Sequence, residues 1–292
     1  MYESFYGFRE KPFHVTSDPA FLYPSPQHRE ALDHLLYGIR EQLGFILILG
    51  EVGTGKTTLA KALVNRLNGP VKTALILHPT LSPTQILLAI LREFLGPQEN
   101  PAQNDQRSPS PSRGKLLTAI EQLLLQQAQR QATTVLILDE AQALSAAALE
   151  QVRLLSNVET SKQKLLQIVL IGQPELGQRL ATEHRLRAVQ QRIAVRYQLQ
   201  PLDETEVAAY IQHRLHLAGS QGKPHFTEGA LAAIARASGG IPRRINLLCD
   251  QALLAGFVHE SERIDESMVA QALAVVSTEP VVPETMTERN YS

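Results

Sequence analysis

The sequence predicts an α/β domain, a parallel sheet flanked by helices, followed by a small all-α domain. Three observations predict it. Short apolar runs such as FILILG (45–50), VLIL (135–138) and IVLIG (168–172) alternate with stretches of helical periodicity. The first of these runs enters a helix through a Gly-rich turn, GEVGTGKT (50–57). After PLDETE (201–206) the apolar runs stop and only helical periodicity continues. Strands apolar on both faces need helices on both sides, which is the parallel-sheet arrangement.

Residues 1–25 (MYESFYGFREKPF, then DPAFLYPSP) are rich in aromatics and Pro and read as an irregular arm docked on the core. Residues 26–201 form the α/β domain. Leu32, Leu35, Leu36 and Ile39 recur at helical spacing within 27–42. The strand GFILILG and the helix KTTLAKALVNRL (56–67) follow, then the strand TALILHP (73–79) and the helix PTQILLAILREFL (83–95). Residues 97–113, PQENPAQNDQRSPSPSR, hold almost nothing apolar and cannot bury enough surface to offset ordering entropy, so they read as a flexible insertion. KLLTAIEQLLLQQAQ (115–129) and SAAALEQVRLLSNV (145–158) are helices, and TVLILDE (134–140), LLQIVLIGQ (165–173) and IAVRYQLQ (193–200) are strands. Between the last two strands PELGQRL and its Arg-rich continuation read as helix. Residues 202–276 carry helical patterns at 203–219, 227–239, 243–260 and 265–276, and form the all-α lid domain. The polar tail 277–292 reads as disordered.

At 292 residues the chain is long enough for two cores. A net charge of -1 gives no global field that would draw it to nucleic acid or anionic lipid. Cys249 is the one cysteine, so no internal disulfide forms, and its apolar neighbours make it a buried structural thiol. The N-terminus lacks the basic start and apolar core of a signal peptide, and no apolar run is long enough to span a bilayer. The expectation is a soluble cytoplasmic chain, or the soluble part of a longer one. His213 and His216 lie three apart with no further ligand at metal spacing and read as solvated helix residues.

GEVGTGKT matches G-x-x-x-x-G-K-[ST] between a strand and a helix, the context the pattern requires. The glycines let the backbone turn its N–H groups around phosphate oxygens, and the helix N-terminus adds partial positive charge. The binding candidates are Gly50, Glu51, Val52, Gly53, Thr54, Gly55, Lys56, Thr57 and Thr58. Lys56 reaches the β- and γ-phosphates of ATP, and the Thr57 hydroxyl ligates Mg²⁺. Asp139, ending a buried strand, is the second metal candidate, and Glu140 is placed to activate a water against the γ-phosphate. Without the upstream loop, an Asp-Glu pair at a strand end would read as a solvated turn or helix cap. Gln173, after the next strand, is a candidate γ-phosphate sensor or a simple turn residue before Pro174. Residues 179–196 hold five arginines against one acid, Glu183. They read as a solvated helix face, a basic strip for nucleic acid, or a subunit edge offering Arg192 to a neighbour's nucleotide.

In motif order, GEVGTGKT, LILDE, LIGQPE, QR before IAVR, and GGIPRR, the chain resembles the AAA+ ATPases. That resemblance implies a P-loop domain with a helical lid, working as an oligomer with nucleotide at subunit interfaces. It makes Arg192 the arginine finger, Gln173 the first sensor and Arg243 the second. The first sensor in that superfamily is more often Asn, Ser or Thr, so Gln173 is a departure. Pro242 would then fix the entry to a lid helix, Gly239 and Gly240 would let the lid hinge over the phosphate loop, and Arg244 would face another side as a surface or subunit contact.

A narrower resemblance covers nearly the whole chain. MYESFYGFREKPF, DPAFLYPSPQHREALDHLLYGI, LEQVRLLSNVET, KLLQIVLIGQPEL and GIPRRINLLCDQALLAGF look like the ExeA/GspA-type ATPases of bacterial secretion and the related MshM proteins of MSHA-type pilus biogenesis. This implies ATP hydrolysis at the cytoplasmic face of the inner membrane, in support of secretin, type IV-like pilus or polysaccharide-export assembly. The alternative is a DNA-associated AAA+ regulator resembling TniB-type transposition proteins or replication initiators. The Arg-rich stretch favours that alternative, and the near-neutral charge and lack of an appended helix-turn-helix count against it. A third reading, a nucleotide switch with little turnover, has Glu140 against it.

Overall fold

Successive residues of the first apolar run enter two different cores. Phe45, Leu47 and Leu49 join one cluster, while Ile46 and Ile48 join the other. Leu136, Leu138, Ile168 and Leu170 go with the first, and Val135, Ile137, Val169 and Ile171 with the second. Side chains alternate across a strand, so this is a sheet covered on both faces. The computed structural model describes residues 1–14, 18–77, 79–96, 111–160, 163–220 and 222–278. Residues 97–110 of the insertion and 279–292 of the tail lie outside them.

The chain forms two units, Ser17–Pro201 and Met1–Thr16 with Leu202–Ser292. The arm expected at 1–25 is therefore divided between them. Its first part is not irregular, because Tyr2–Tyr6 form a short helix, α1. Gly7 caps α1 in the left-handed conformation, φ 75°.

In the α/β unit, α2 (Pro26–Arg40) starts at Ser25, with Pro26 in its first turn, and buries Leu32, Leu35 and Ile39. β1 (Phe45–Gly50) leads through the Gly-rich loop into α3 (Lys56–Arg66). β2 (Val71–Ile76) starts earlier than the run TALILHP suggests. A capping box of Ser82 and Gln85 opens α4 (Pro83–Leu95). α5 (Arg113–Gln129) starts inside the expected insertion, with Ser112 as its cap. β3 (Thr133–Leu138), α6 (Ala146–Leu155), β4 (Leu166–Gly172) and α7 (Pro174–Thr182) follow. The Arg-rich continuation is no long helix. It breaks into a 3-10 turn (His184–Leu186) and α8 (Arg187–Gln190) before β5 (Ile193–Leu199). All strands pair in parallel, in the order β2-β3-β4-β1-β5. β5 is an edge strand, and its residues alternate between half-buried and exposed up to Leu199.

The second unit contains α9 (Glu204–Leu217), α10 (Glu228–Ser238), α11 (Pro242–Val258) and α12 (Glu266–Thr278). It is not wholly helical. Two-residue strands, β6 (His225–Phe226) and β7 (Arg263–Ile264), pair in parallel, too short to leave a period in the sequence. The Tyr6 hydroxyl donates to the carbonyls of Leu253 and Ser261, both at 3.1 Å, and Tyr2 donates to Asp250. Buried Arg214 donates from Nε to the Pro12 carbonyl at 2.6 Å and from Nη2 to the His14 carbonyl at 3.0 Å. These bonds seat residues 1–14 on α9 and α11.

Gly239 and Gly240 sit between α10 and α11, both inside this unit, whereas the two units meet in sequence at Pro201–Leu202. The expected hinge at the glycines is thus a tight joint between two helices of one unit. A Cβ on Gly240 would lie 1.9 Å from the Leu202 carbonyl oxygen, so glycine is needed for this backbone approach. Cys249 is fully buried on α11, and burial pushes its thiol well above the ordinary range. No helix among the described residues is long and apolar enough to cross a membrane.

Candidate functional site

The strand order brings three loops to one edge. β4 stands between β1 and β3, so the Gly-rich loop after β1, the Asp139–Glu140 step after β3 and Gln173 after β4 all lie at the C-terminal ends of adjacent strands. Open parallel sheets bind ligands along this edge.

In the loop itself, Gly53 and Gly55 have φ of 85° and 93°, a region other residues enter only with strain. The Thr54 hydroxyl and Lys56 Nζ both donate to the Glu51 carbonyl, at 2.8 and 2.9 Å. Glu51 and Val52 are exposed, and Thr58 is half-buried in the first turn of α3. Lys56 is 4% exposed. Burial pushes its ammonium below the ordinary lysine range, and the carboxylates of Glu140 and Asp139 pull it back toward the charged form.

Thr57 Oγ1 donates to Asp139 Oδ2 at 2.5 Å, and the Glu140 N–H donates to Asp139 Oδ1 at 2.9 Å. Asp139 is 1% exposed, and burial raises its carboxyl above the usual range against the pull of these donors. A hydroxyl beside a buried carboxylate at a loop built for phosphate is a hard oxygen pair that fits Mg²⁺.

Glu140 adopts the left-handed conformation, φ 51°, which turns its side chain out of the strand direction. Its Oε2 accepts from Gln173 Nε2 at 3.2 Å and from the Gln142 amide. Gln142 Oε1 in turn accepts the Gln173 backbone N–H at 3.1 Å, which closes a ring of three residues. Arg179 on α7 holds the turn below, donating from Nη1 to the carbonyls of Gln142 at 2.8 Å and Leu144 at 3.0 Å. Sequence reasoning missed Gln142 and the part played by Arg179. Gln142 lies two residues past the Asp-Glu pair, and only the 3-10 turn Ala141–Ala143 returns its amide to Glu140.

The five arginines of 179–196 do not form one strip. Arg179 is bonded as above and pairs with Glu183 at 2.7 Å. Arg185 and Arg187 are exposed, while the Arg196 guanidinium lies against Gly177 on α7. Arg192 donates to Asn157 Oδ1 at 2.6 Å and to Ser156 Oγ at 3.3 Å. It immediately precedes Ile193, which pairs with Phe45 at the start of β1. Arg192 and the chain's own phosphate loop therefore lie at opposite ends of β1, about 20 Å of extended strand apart. Arg243 and Arg244 are both exposed in the first turn of α11, in the other unit. His213 is half-buried and His216 exposed on α9, and no group of three metal-ligating side chains occurs among the described residues.

A family model described as "AAA domain" matches residues 39–180, the span that holds the loop, Asp139, Glu140 and Gln173. General secretion pathway protein A of Aeromonas hydrophila is 44% identical over 277 residues, which is 95% of this chain and 49% of that protein. The chain thus spans about half the length of this relative. Among solved structures, the Aeropyrum pernix ORC2 protein superposes with a TM-score of 0.63 at 18% identity, over 86% of this chain and 67% of that one. The Thermotoga maritima RuvB Holliday junction branch migration motor superposes with a TM-score of 0.56 at 19% identity, over 87% of this chain and 70% of that one. At such identities these likenesses show the fold alone. Residues 39–180 thus match an AAA domain, and the chain is similar over nearly its whole length to General secretion pathway protein A.

Proposed function

We propose that the chain binds ATP with Mg²⁺ and hydrolyses it to ADP and phosphate. The observation that carries this reading is the convergence of Lys56, the Thr57–Asp139 pair, Glu140 and Gln173 at the ends of three adjacent strands. Backbone N–H groups of residues 50–57 and the N-terminus of α3 would take the β- and γ-phosphates, with Lys56 leaving the Glu51 carbonyl to reach them. Thr57 and Asp139 would hold Mg²⁺, which when bound neutralises charge on the phosphate oxygens. Glu140 would accept a proton from the water whose oxygen attacks the γ-phosphorus, while the bond to the bridging oxygen breaks and ADP leaves. Gln173, bonded to the same carboxylate, would sense whether the γ-phosphate is present. Arg243 would report nucleotide state from the helical unit. Phosphate release by the wild-type chain in Mg²⁺-ATP, measured across a range of protein concentrations, tests the reading. Tight ATP binding with no release at any concentration would reduce it to a nucleotide switch.

The proposal includes self-association, with Arg192 serving a neighbouring subunit's nucleotide, because its place at the far end of β1 keeps it from its own site. The identity to a general secretion pathway protein supports a role in assembling an envelope machine, such as a secretin, a type IV-like pilus or a polysaccharide exporter. That role would put the chain on the cytoplasmic side, peripheral to the inner membrane. A DNA-associated role is the second reading, and the exposed pair Arg185 and Arg187 favours it. DNA retention that falls steeply with salt would support this second reading.

A further inference from the structure

The imidazole of His28, on the first turn of α2, lies under the phosphate loop and is 5% exposed. Its Nε2 is 3.0 Å from the Thr54 carbonyl oxygen, and its Nδ1 is 2.8 Å from Ser25 Oγ. A carbonyl can only accept, so Nε2 carries the hydrogen and donates it. In the neutral ring Nδ1 then accepts the hydrogen of the fully buried Ser25 hydroxyl. The ring also meets the next residue of the loop. A Cβ on Gly55 would lie 3.1 Å from Nε2, so the positive-φ glycine leaves room for the imidazole as well as for the turn.

We infer that His28 is a positioning residue for the phosphate loop, aiming the Gly55 N–H at bound phosphate by holding the Thr54 carbonyl. The peptide between Thr54 and Gly55 is trans, so its C=O and N–H point in opposite directions. Fixing the carbonyl toward α2 turns the N–H away from α2, into the hollow of the loop. A phosphate site built from backbone donors depends on such orientations being set before the ligand arrives, since a peptide free to rotate must be ordered on binding. His28 thus couples the segment before β1 to the loop after it, and Ser25 acts one step further back by setting the tautomer. The inference rests on the proposed reading of the loop as a nucleotide phosphate site.

The test is equilibrium titration of wild type, His28→Gln, His28→Asn and His28→Ala with a fluorescent ADP analogue in Mg²⁺, alongside thermal melts of each. A glutamine amide reaches about as far as Nε2 and keeps the donor to Thr54, whereas the shorter asparagine amide reaches only about as far as Nδ1. His28→Asn and His28→Ala should weaken ADP binding by roughly tenfold through the lost buried donor, with His28→Gln within about threefold of wild type. A purely structural histidine would lower the melting temperature without separating Gln from Asn in affinity, and that result overturns the inference. Wild-type affinity in His28→Asn overturns it alone, leaving the nucleotide reading intact. No ADP binding by the wild-type chain overturns both.

Discussion

Thr57 and Asp139, 82 residues apart in sequence, share a hydrogen bond of 2.5 Å that ties the first turn of α3 to the end of β3. The bond assembles both oxygen donors of the proposed Mg²⁺ site, although their strands, β1 and β3, are separated in the sheet by β4.

Lys56→Ala removes the one cation buried at this site among the described residues, and with it a charged donor to phosphate. ATP affinity is expected to fall by roughly a hundredfold. Calorimetric titration measures it, and wild-type affinity in the variant would sink the site assignment.

Glu140→Gln keeps a side chain of the same size but cannot accept a proton. It should bind ATP within a fewfold of wild type and lose about 10²–10⁴ in turnover. Unimpaired phosphate release would remove Glu140 as the base. Gln142→Ala should lower turnover more than affinity, because it takes away a donor that holds Glu140.

Arg192→Ala subunits, inactive alone, should regain some turnover when mixed with Lys56→Ala subunits, which still carry Arg192. Phosphate release measured across mixing ratios checks the idea. No recovery at any ratio counts against a shared site.

Arg214→Ala leaves the Pro12 and His14 carbonyls without their buried charged donor. A loss of about 2–4 kcal/mol in the stability of the helical unit is expected from urea unfolding. A change below about 0.5 kcal/mol would show that residues 1–14 are held in place without Arg214, by the Tyr2 and Tyr6 bonds and the rest of their packing.

Cys249 supplies a pH test. Its folded-state thiol is pushed well above the ordinary value of 9.0 by burial. As pH rises past about 9 the unfolded chain releases this proton and the folded chain does not, so stability falls with rising pH. Tyr2, Tyr6 and Tyr210 are likewise raised from 10.0 and add to the loss at higher pH. Cys249→Ala should remove the earliest part of the decline, as read from urea midpoints between pH 8 and 10, roughly the window in which a free thiol titrates. An unchanged pH slope would exclude the thiol as its source.

The sequence by itself determined what is local. Apolar runs without alternation marked β1, β3 and β4 as strands buried on both faces, and the spacing of Gly50, Gly55, Lys56 and Thr57 marked the phosphate loop, because both signals are written in consecutive residues. Only the tertiary structure decided what depends on strand order. It placed β4 between β1 and β3, so that Gln173 meets Glu140. It set Arg192 at the far end of β1, and it divided the basic stretch 179–196 among several partners. It also moved the expected glycine hinge inside the helical unit, where the Leu202 backbone fills the space a Cβ on Gly240 would need. Gln142, Arg179 and His28 escaped notice because ordinary polar residues gain their roles from hydrogen bonds to segments distant in the chain or turned back by a 3-10 turn. Such bonds leave no period and no motif; burial and geometry create them.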